Sequence, residues 1–418
     1  MNYKFLITLF AFSIQLLISA VQAQTDETSK SFHISGYGTL GAVHSSSNQL
    51  DFVRNLLQRD GVGYSRSIDF GMDSLLGLQL DLHPADELGA SIQAVSRRGQ
   101  TDFQPELTWA YARYTPNDTV QMRAGRLGFD VYLLADSRDV GYSYQWVRPP
   151  IEYFGPLIVS YLDGADIVLK TPLSNGVIRA KLYLGQAQEK SLTGKTHQDV
   201  FQLKGSPMFG AHLEFQNQHW QIRAGGARLK FNNEFPQMQE LADALRSPPL
   251  QYFDPNAANL ADRITFKDKT IDYLSAGVAY DNGPLQAQLM LSKLKSDLIA
   301  FPQNVAGYTT LSYRLKQWTP SITYSVIRPS NATPVLHLPY GIDPNLDLIA
   351  HAYYFTSQGQ LADQSTLSLG LRYDFAEKMD LKFQIDHIRS KQNLLLRNIQ
   401  PGWDGRATLF SIVFDFVF

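Results

Sequence analysis

The sequence of 418 residues contains no cysteine, which excludes a disulfide framework, an iron–sulfur cluster and a thiolate zinc site. Charged residues make up only 18% of the chain, against about 25% in an ordinary soluble domain. The 37 basic and 39 acidic residues nearly cancel, so no overall positive field is available to hold nucleic acid. The chain also lacks the several apolar runs of about 20 residues that a helical membrane protein needs.

The first 23 residues have the pattern of a secretory signal peptide. Lys4 supplies a positive start, residues 5–18 are almost uninterrupted apolar sequence, and Val21-Gln22-Ala23 offers small side chains where a signal peptidase reads. A single membrane anchor is the alternative, but the apolar core is shorter than about 20 residues and polar sequence follows at once. We expect cleavage after Ala23, which leaves residues 24–418 as one domain because no linker composition divides them.

The remaining sequence alternates between apolar and polar residues. At the carboxyl end one face carries only apolar side chains, namely Phe410, Ile412, Phe414, Phe416 and Phe418. The same period of two recurs in residues 76–82, 178–184, 209–215, 285–291, 367–375 and 381–385. This pattern predicts strands with one apolar face. A soluble β-sandwich would also alternate, but its strands are commonly five or six residues long, whereas about ten are needed to cross an apolar band about 25 Å tall. The observed lengths favour a membrane.

Short and long connections also alternate along the chain. Tight turns are predicted at 83–86, 115–118, 173–176, 216–218, 281–284, 316–318 and 376–378, and longer irregular stretches at 45–64, 98–105, 130–162, 189–207, 232–267, 297–304, 330–363 and 391–405. Seven turns and eight loops join sixteen strands. In lipid such a sheet must close, with the last strand paired to the first around residues 33–43. The sequence therefore predicts an all-β, transmembrane, antiparallel β-barrel of sixteen strands, or eighteen if 232–267 or 330–363 hides a hairpin.

In this layout the chain resembles Gram-negative general diffusion porins. The resemblance rests on the signal peptide, the absence of cysteine, the sixteen alternating strands, the long loop after the fifth strand and the terminal Phe418. Glu152-Tyr153-Phe154-Gly155-Pro156 is similar to the acidic-aromatic-glycine tip of the family's third loop, with an extra aromatic residue and without its usual second glycine. The resemblance implies that this loop folds into the barrel and forms a constriction with Asp130, Asp136, Asp139 and Glu152.

The resemblance also implies partners. The barrel would lie in outer-membrane lipid, and Phe418 would be recognised by the outer-membrane assembly machinery. A homotrimer is expected of such porins, although the loop at 98–105 is short for one that latches a neighbouring subunit.

Strand alternation predicts which charges face the lumen. The inward basic residues are Arg123, Arg179, Lys181, Arg223, Arg314, Lys316, Arg372 and Lys382, against the acids Asp81, Asp166, Glu214, Asp374 and Asp386. A basic wall opposite an acidic loop would set up a transverse field that orients dipolar solutes. Alternatively, these charges point inward only because a basic side chain in lipid costs about 2–4 kcal/mol. Arg113 and Arg126 fall on the predicted outward face near strand ends, where snorkelling or a bulge would relieve the cost.

The sequence gives little support for catalysis. Its nine histidines show no metal-ligand spacing, and nucleotide-binding and hydrolase motifs are missing, so we expect no cofactor, no metal and no enzyme activity. The favoured function is a water-filled channel for passive diffusion of ions and small hydrophilic solutes. One alternative is a channel selective for anionic or sugar-like solutes, suggested by the basic wall and by Tyr142, Tyr144, Trp146, Tyr153 and Phe154. Another is a non-conducting structural or adhesive barrel.

Overall fold

The computed structural model describes residues 32–56, 58–99, 102–192, 200–358, 361–393 and 396–418, so the expected signal peptide lies outside the described residues. Sixteen long strands form one closed antiparallel barrel, as the alternation predicted. They are β1 Phe32–Ser45, β2 Leu75–Leu82, β3 Leu88–Arg98, β4 Phe103–Tyr114, β5 Val120–Gly128, β6 Tyr161–Leu173, β7 Gly176–Ala187, β8 Ser206–Gln216, β9 Trp220–Lys230, β10 Thr270–Asn282, β11 Leu285–Ser296, β12 Asn304–Tyr313, β13 Trp318–Pro329, β14 Ala362–Ala376, β15 Met379–Asn393 and β16 Arg406–Val417.

The barrel closes between β16 and β1. Tyr37 pairs with Val417 at one end of this seam and Ser45 with Leu409 at the other. On the outward face the Phe416 ring covers Gly38, where an added Cβ would lie 2.4 Å from the ring. Gly38 therefore makes room for an aromatic ring at the seam, where the first and last strands pair as predicted.

Seven short turns lie at one end of the barrel and eight loops at the other. The loops are L1 46–74, L2 99–102, L3 129–160, L4 188–205, L5 231–269, L6 297–303, L7 330–361 and L8 394–405. L1 and L8 meet through a short three-stranded sheet, in which Asp51–Phe52 pairs with both Val62–Gly63 and Leu396–Arg397. L1 also contributes Ile68–Asp69, which pairs with β1, and L4 contains the hairpin Lys190–Leu192 and Val200–Gln202.

The described residues also contain five α-helices, all in loops. They are α1 Ile151–Phe154 in L3, α2 Pro236–Leu245, α3 Pro248–Phe253 and α4 Ala257–Ile264 in L5, and α5 Pro344–Gln358 in L7. The alternative of eighteen strands is therefore wrong, because L5 and L7 fold as helices instead of hairpins. Their apolar faces bury one another in a small core outside the barrel. Within the described residues, no helix has the length and apolar character required to cross a membrane.

Alternation decides which side chains face outward. Leu182 and Leu184 are 60% and 66% exposed, whereas the alternating residues Lys181 and Tyr183 are buried. Arg126 also faces outward, as predicted, and forms an ion pair with Asp163 at 2.7 Å. The outward prediction for Arg113 is wrong. A register shift between β3 and β4 precedes it and reverses the facing, so Arg113 lies beside the inward Arg123.

Candidate functional site

L3 runs into the lumen of the barrel, as the porin resemblance implied. Its two ends meet where the Phe129 amide donates to the Ser160 carbonyl at 2.9 Å. Between them the loop reaches two separate parts of the barrel wall. The Val147 amide donates to Gln384 on β15 at 2.9 Å, and the Tyr153 hydroxyl is 2.9 Å from the Ser275 hydroxyl on β10. The loop therefore crosses the lumen instead of covering its mouth.

Aromatic side chains give L3 its packed core. Tyr132, Tyr144, Trp146 and Tyr153 are each no more than 5% exposed. The rings of Trp146 and Tyr153 pack edge-on against Tyr308 of β12, with centroids 5.5 and 5.3 Å away. Burying such rings is strongly favourable, so the loop is held inside by the same kind of packing as a soluble core. These four rings pack against one another or the wall, whereas Tyr142 and Phe154 are partly exposed.

Three of the predicted wall cations bind the backbone of L3. Arg223 donates to the carbonyls of Asp130 and Tyr132 at 2.9 and 2.7 Å. Arg372 donates to those of Tyr142 and Tyr144 at 2.7 and 3.2 Å, and Lys382 donates to that of Gly141 at 2.6 Å. Since the loop has little regular structure, its carbonyls need partners, and the wall supplies them.

The wall cations are also balanced by carboxylates. The ion pairs are Arg123–Asp166 at 2.6 Å, Arg179–Glu214 at 2.9 Å, Lys181–Asp130 at 2.5 Å, Arg223–Glu214 at 2.6 Å, Arg372–Asp374 at 2.7 Å and Lys382–Asp415 at 2.9 Å. Arg314 and Lys316, which were expected on the wall, lie exposed in the turn between β12 and β13. The lumen therefore carries paired charges where the sequence suggested a net basic surface.

The four acidic residues expected at the constriction lie in different surroundings. Burial raises the pKa of Asp130, but the adjacent Lys181 and other cations outweigh it, so the net pKa is lowered. Asp139 forms an ion pair with Arg97 at 2.9 Å. Glu152 is completely buried and accepts hydrogen bonds from Ser325, Gln364 and Thr366, the first two at 2.6 and 2.7 Å.

Asp136 is the exception among these acids. Its side chain is exposed, and it forms no ion pair with any described residue. Desolvation by the surrounding protein makes the largest contribution to raising the pKa of Asp136, and the negative charge of Asp130 adds to it. Of the four, only Asp136 has an exposed side chain.

Sequence reasoning missed Arg148, which is the most strongly held residue of L3. Its guanidinium binds Asp73 of L1 at 2.7 and 3.0 Å, Asp386 of β15 at 2.6 Å and the Ser411 hydroxyl of β16 at 2.6 Å, and it is 3% exposed. The position of this arginine directly before Pro149-Pro150 in a long loop was the available signal. We name this group, Arg148 with Asp73 and Asp386, the arginine latch.

Glu189 of L4 holds the carboxyl-terminal end of L3 by hydrogen bonds. It accepts hydrogen bonds from the Ser160 amide, from the Ser160 hydroxyl at 2.6 Å and from the Tyr161 amide at 3.1 Å. Burial, only partly offset by these hydrogen bonds, raises the pKa of Glu189 from 4.5 to about 7.

This raised pKa predicts a pH-dependent junction between L3 and L4. The folded junction binds more protons than the unfolded one between pH 4.5 and about 7, so its stability falls as pH rises through that window and is constant above it. Infrared titration of the protonated carboxyl band should show a group with a midpoint near 7 that is missing in Glu189→Gln. Limited proteolysis of L4 should rise over the same window in the wild type and stay flat in the variant. A Glu189 midpoint near 4.5 would contradict this.

The space left open near L3 lies toward the short turns. A cavity of about 290 Å³ is lined there by L3 residues 143–146 and by the ends of β8–β12. In the part of the chain that the structure describes, no cluster of three or more His, Asp or Glu side chains is arranged to hold a metal ion.

No protein-family model and no curated protein sequence matches this chain. Solved structures do match its fold. The outer membrane channel DcaP of Acinetobacter baumannii aligns with a TM-score of 0.54 at 12% identity, covering 93% of this chain and 97% of that one. OmpF of Salmonella typhi, in a complex with daunomycin, gives 0.52 at 9% identity, with the same coverage. An anion-selective porin from Comamonas acidovorans gives 0.50 at 12% identity, covering 93% and 99%. The fold is that of outer-membrane porins.

Proposed function

We propose that this chain with a porin fold is an outer-membrane channel whose passage is set by L3 and which conducts ions and small hydrophilic solutes without a cofactor. The observation that carries the proposal is the position of L3, which lies inside a polar-lined barrel and is fixed there by Arg223, Arg372, Lys382 and the arginine latch. A barrel of sixteen strands is wide enough for an aqueous channel. Because L3 crosses the lumen and contacts the wall at several strands, we expect a narrow passage and a small conductance.

Planar-bilayer recording of the purified, folded protein tests this proposal. A channel gives a steady current proportional to voltage, small for a barrel of this size. A folded protein that inserts without current would favour the alternative of a structural or adhesive barrel. Heat-modifiable migration on a gel, which reports a closed barrel, is the control for folding.

The proposal also includes three further points: residues 1–23 direct export, Phe418 guides assembly, and the protein forms a homotrimer. Cleavage after Ala23, loss of assembly on removing Phe418, and the size of the complex in detergent test them in turn.

Ion selectivity should depend on Asp136 and not on Glu152. Asp136→Asn removes the exposed carboxylate, so we expect the cation-to-anion permeability ratio to fall by roughly twofold to fivefold, a change of about 0.4–1 kcal/mol in the relative barrier. Reversal potentials under a salt gradient measure this ratio. Since the pKa of Asp136 is raised, wild-type selectivity should approach that of the variant in acid solution.

Glu152→Gln is the matched control, because Glu152 is fully buried beneath Ser325, Gln364 and Thr366. Its reversal potential should equal that of the wild type. An unchanged potential in Asp136→Asn would reject the role of Asp136.

The alternative of a channel for anionic solutes loses its main support, because the basic side chains that suggested it are paired with carboxylates. An uncharged hydrophilic solute fits this lumen better.

A further inference from the structure

The cavity at the short-turn end of the lumen is rich in amide side chains. Seven of its lining residues are Gln or Asn, joined by the hydroxyls of Ser143, Thr310 and Ser312. Asp281 and His219 are its only acidic and imidazole side chains, and neither Lys nor Arg lines it. Amides and hydroxyls both donate and accept hydrogen bonds, so this surface is suited to an uncharged polar ligand.

A chain of hydrogen bonds fixes the orientation of the amides nearest L3. An ionised carboxylate only accepts, so Gln286 must donate its Nε2 to Asp281, at 2.8 Å. The Oε1 of Gln286 then accepts from the Nε2 of Gln145, at 2.9 Å. The Oε1 of Gln145 is left as an acceptor, and it is buried without a hydrogen-bond partner.

Gln288 supplies the complementary group. It follows Gln286 on the inward face of β11, and its Nε2 is a buried donor without a partner. Buried polar groups without partners are costly and uncommon in folded proteins. The terminal amide of a glutamine turns easily, so Gln288 can rotate its Nε2 toward a ligand in the cavity, and Gln145 can turn its Oε1 there by giving up its hydrogen bond to Gln286. A hydroxyl group, which accepts from one and donates to the other, satisfies both.

Trp146 forms the L3 side of the same cavity. Its Nε1 donates to the hydroxyls of Thr310 and Thr323, both at 3.0 Å, which fixes the ring in one orientation. Trp146 is 3% exposed, so its ring closes the L3 side of the cavity as a fixed apolar wall beside the hydrogen-bonding amides, and a sugar ring requires apolar and polar groups together.

We infer that this cavity is a binding site for an uncharged, polyhydroxylated solute such as a sugar, held between Gln145, Gln288 and Trp146. The inference rests on the proposed channel function, which brings solute to the cavity, and it names the class of solute. It gives the amide-rich turn of residues 216–218 and the pair Gln286 and Gln288 a role that a passive pore does not require.

Calorimetric titration of the folded protein in detergent tests the site with maltose as the probe. Gluconate, which is charged, and glycylglycine, which carries an amide without sugar hydroxyls, are the comparators. We expect maltose to bind and both comparators to bind at least about tenfold more weakly. Gln288→Leu should weaken maltose binding about fivefold to tenfold, as expected for one lost hydrogen bond.

Thermal stability separates a binding role from a structural one. Gln288→Leu removes a buried donor that has no partner in the unliganded protein, so its unfolding temperature should equal or exceed that of the wild type. Gln317→Leu, in the exposed turn at the same end of the barrel, is the matched control and should leave maltose binding unchanged. Gln288→Ala repeats the test with a smaller side chain.

Conductance is measured separately so that the two proposals can fail independently. If the protein carries current but does not bind maltose, the sugar site alone is overturned. The same holds if the wild type and Gln288→Leu bind maltose equally. Equal binding of gluconate or glycylglycine also overturns it. If maltose binding depends on Gln288 but the barrel carries no current, the sugar site is supported and the channel function is rejected.

Discussion

Replacing Arg148 with methionine should release L3 and raise the single-channel conductance several-fold. The substitution leaves Asp73 and Asp386 buried, at 1% and 3% exposure, without their shared cation. Removing one partner from a buried ion pair costs about 3–5 kcal/mol, and the contacts that are lost here join L3 to L1 and to β15. Bilayer recording measures the conductance, and protease cleavage within residues 129–160 measures the release of the loop.

The triple variant Arg148→Met, Asp73→Asn, Asp386→Asn is the control for this prediction. It removes the uncompensated charges together with the cation, so L3 should return to the lumen and the conductance should fall back toward the wild-type value. Arg314→Met, in an exposed turn, controls for the loss of one positive charge. If Arg148→Met changes neither conductance nor cleavage, the arginine latch does not hold the loop.

Replacing Phe416 with aspartate should nearly abolish the folded barrel. The ring is only 7% exposed, stacks between Phe414 and Phe418 with centroids 5.7 and 6.4 Å away, and covers Gly38 across the seam. Loss of a buried phenylalanine ring costs about 3–5 kcal/mol, and the new carboxylate would face lipid. The heat-modifiable band on a gel after refolding into lipid vesicles measures the yield.

Phe416→Leu is the matched control, since it keeps an apolar side chain at the seam and should retain most of the yield. Normal yield in the aspartate variant would contradict the outward facing of residue 416. Phe418 should be left intact in both variants, so that the terminal residue expected to guide assembly is unchanged.

The strands could be predicted because alternation is a local property. Each apolar row, such as Phe410, Ile412 and Phe414, is visible within one segment, and it determines both the strand and its outward face. The bulge in the β3–β4 pairing could not be predicted from one segment, because it depends on the register with the neighbouring strand. Arg113 was placed on the wrong face for that reason.

The contents of the lumen depend on contacts between distant parts of the chain. Arg372 binds carbonyls of Tyr142 and Tyr144, which precede it by 230 and 228 residues, and Arg148 meets Asp73 and Asp386 from two other segments. The positions of the wall cations in the strands predicted that they face inward. These positions did not predict which groups the cations bind. The helices of L5 and L7 were missed because short apolar fragments such as Ile349–Phe355 suit a strand or a helix equally.

The pairing of Asp51–Phe52 with Leu396–Arg397 has a consequence for the order of assembly. Asp51 also accepts hydrogen bonds from Ser65 and from Asn398, the latter at 2.6 Å, so the first and last loops are fastened together above the junction of the first and last strands. This clasp can form only after the two chain ends have come together, which makes it a late event in folding. Once formed, it opposes lateral opening of the barrel between β16 and β1, the neighbouring strands that neither a turn nor a loop connects.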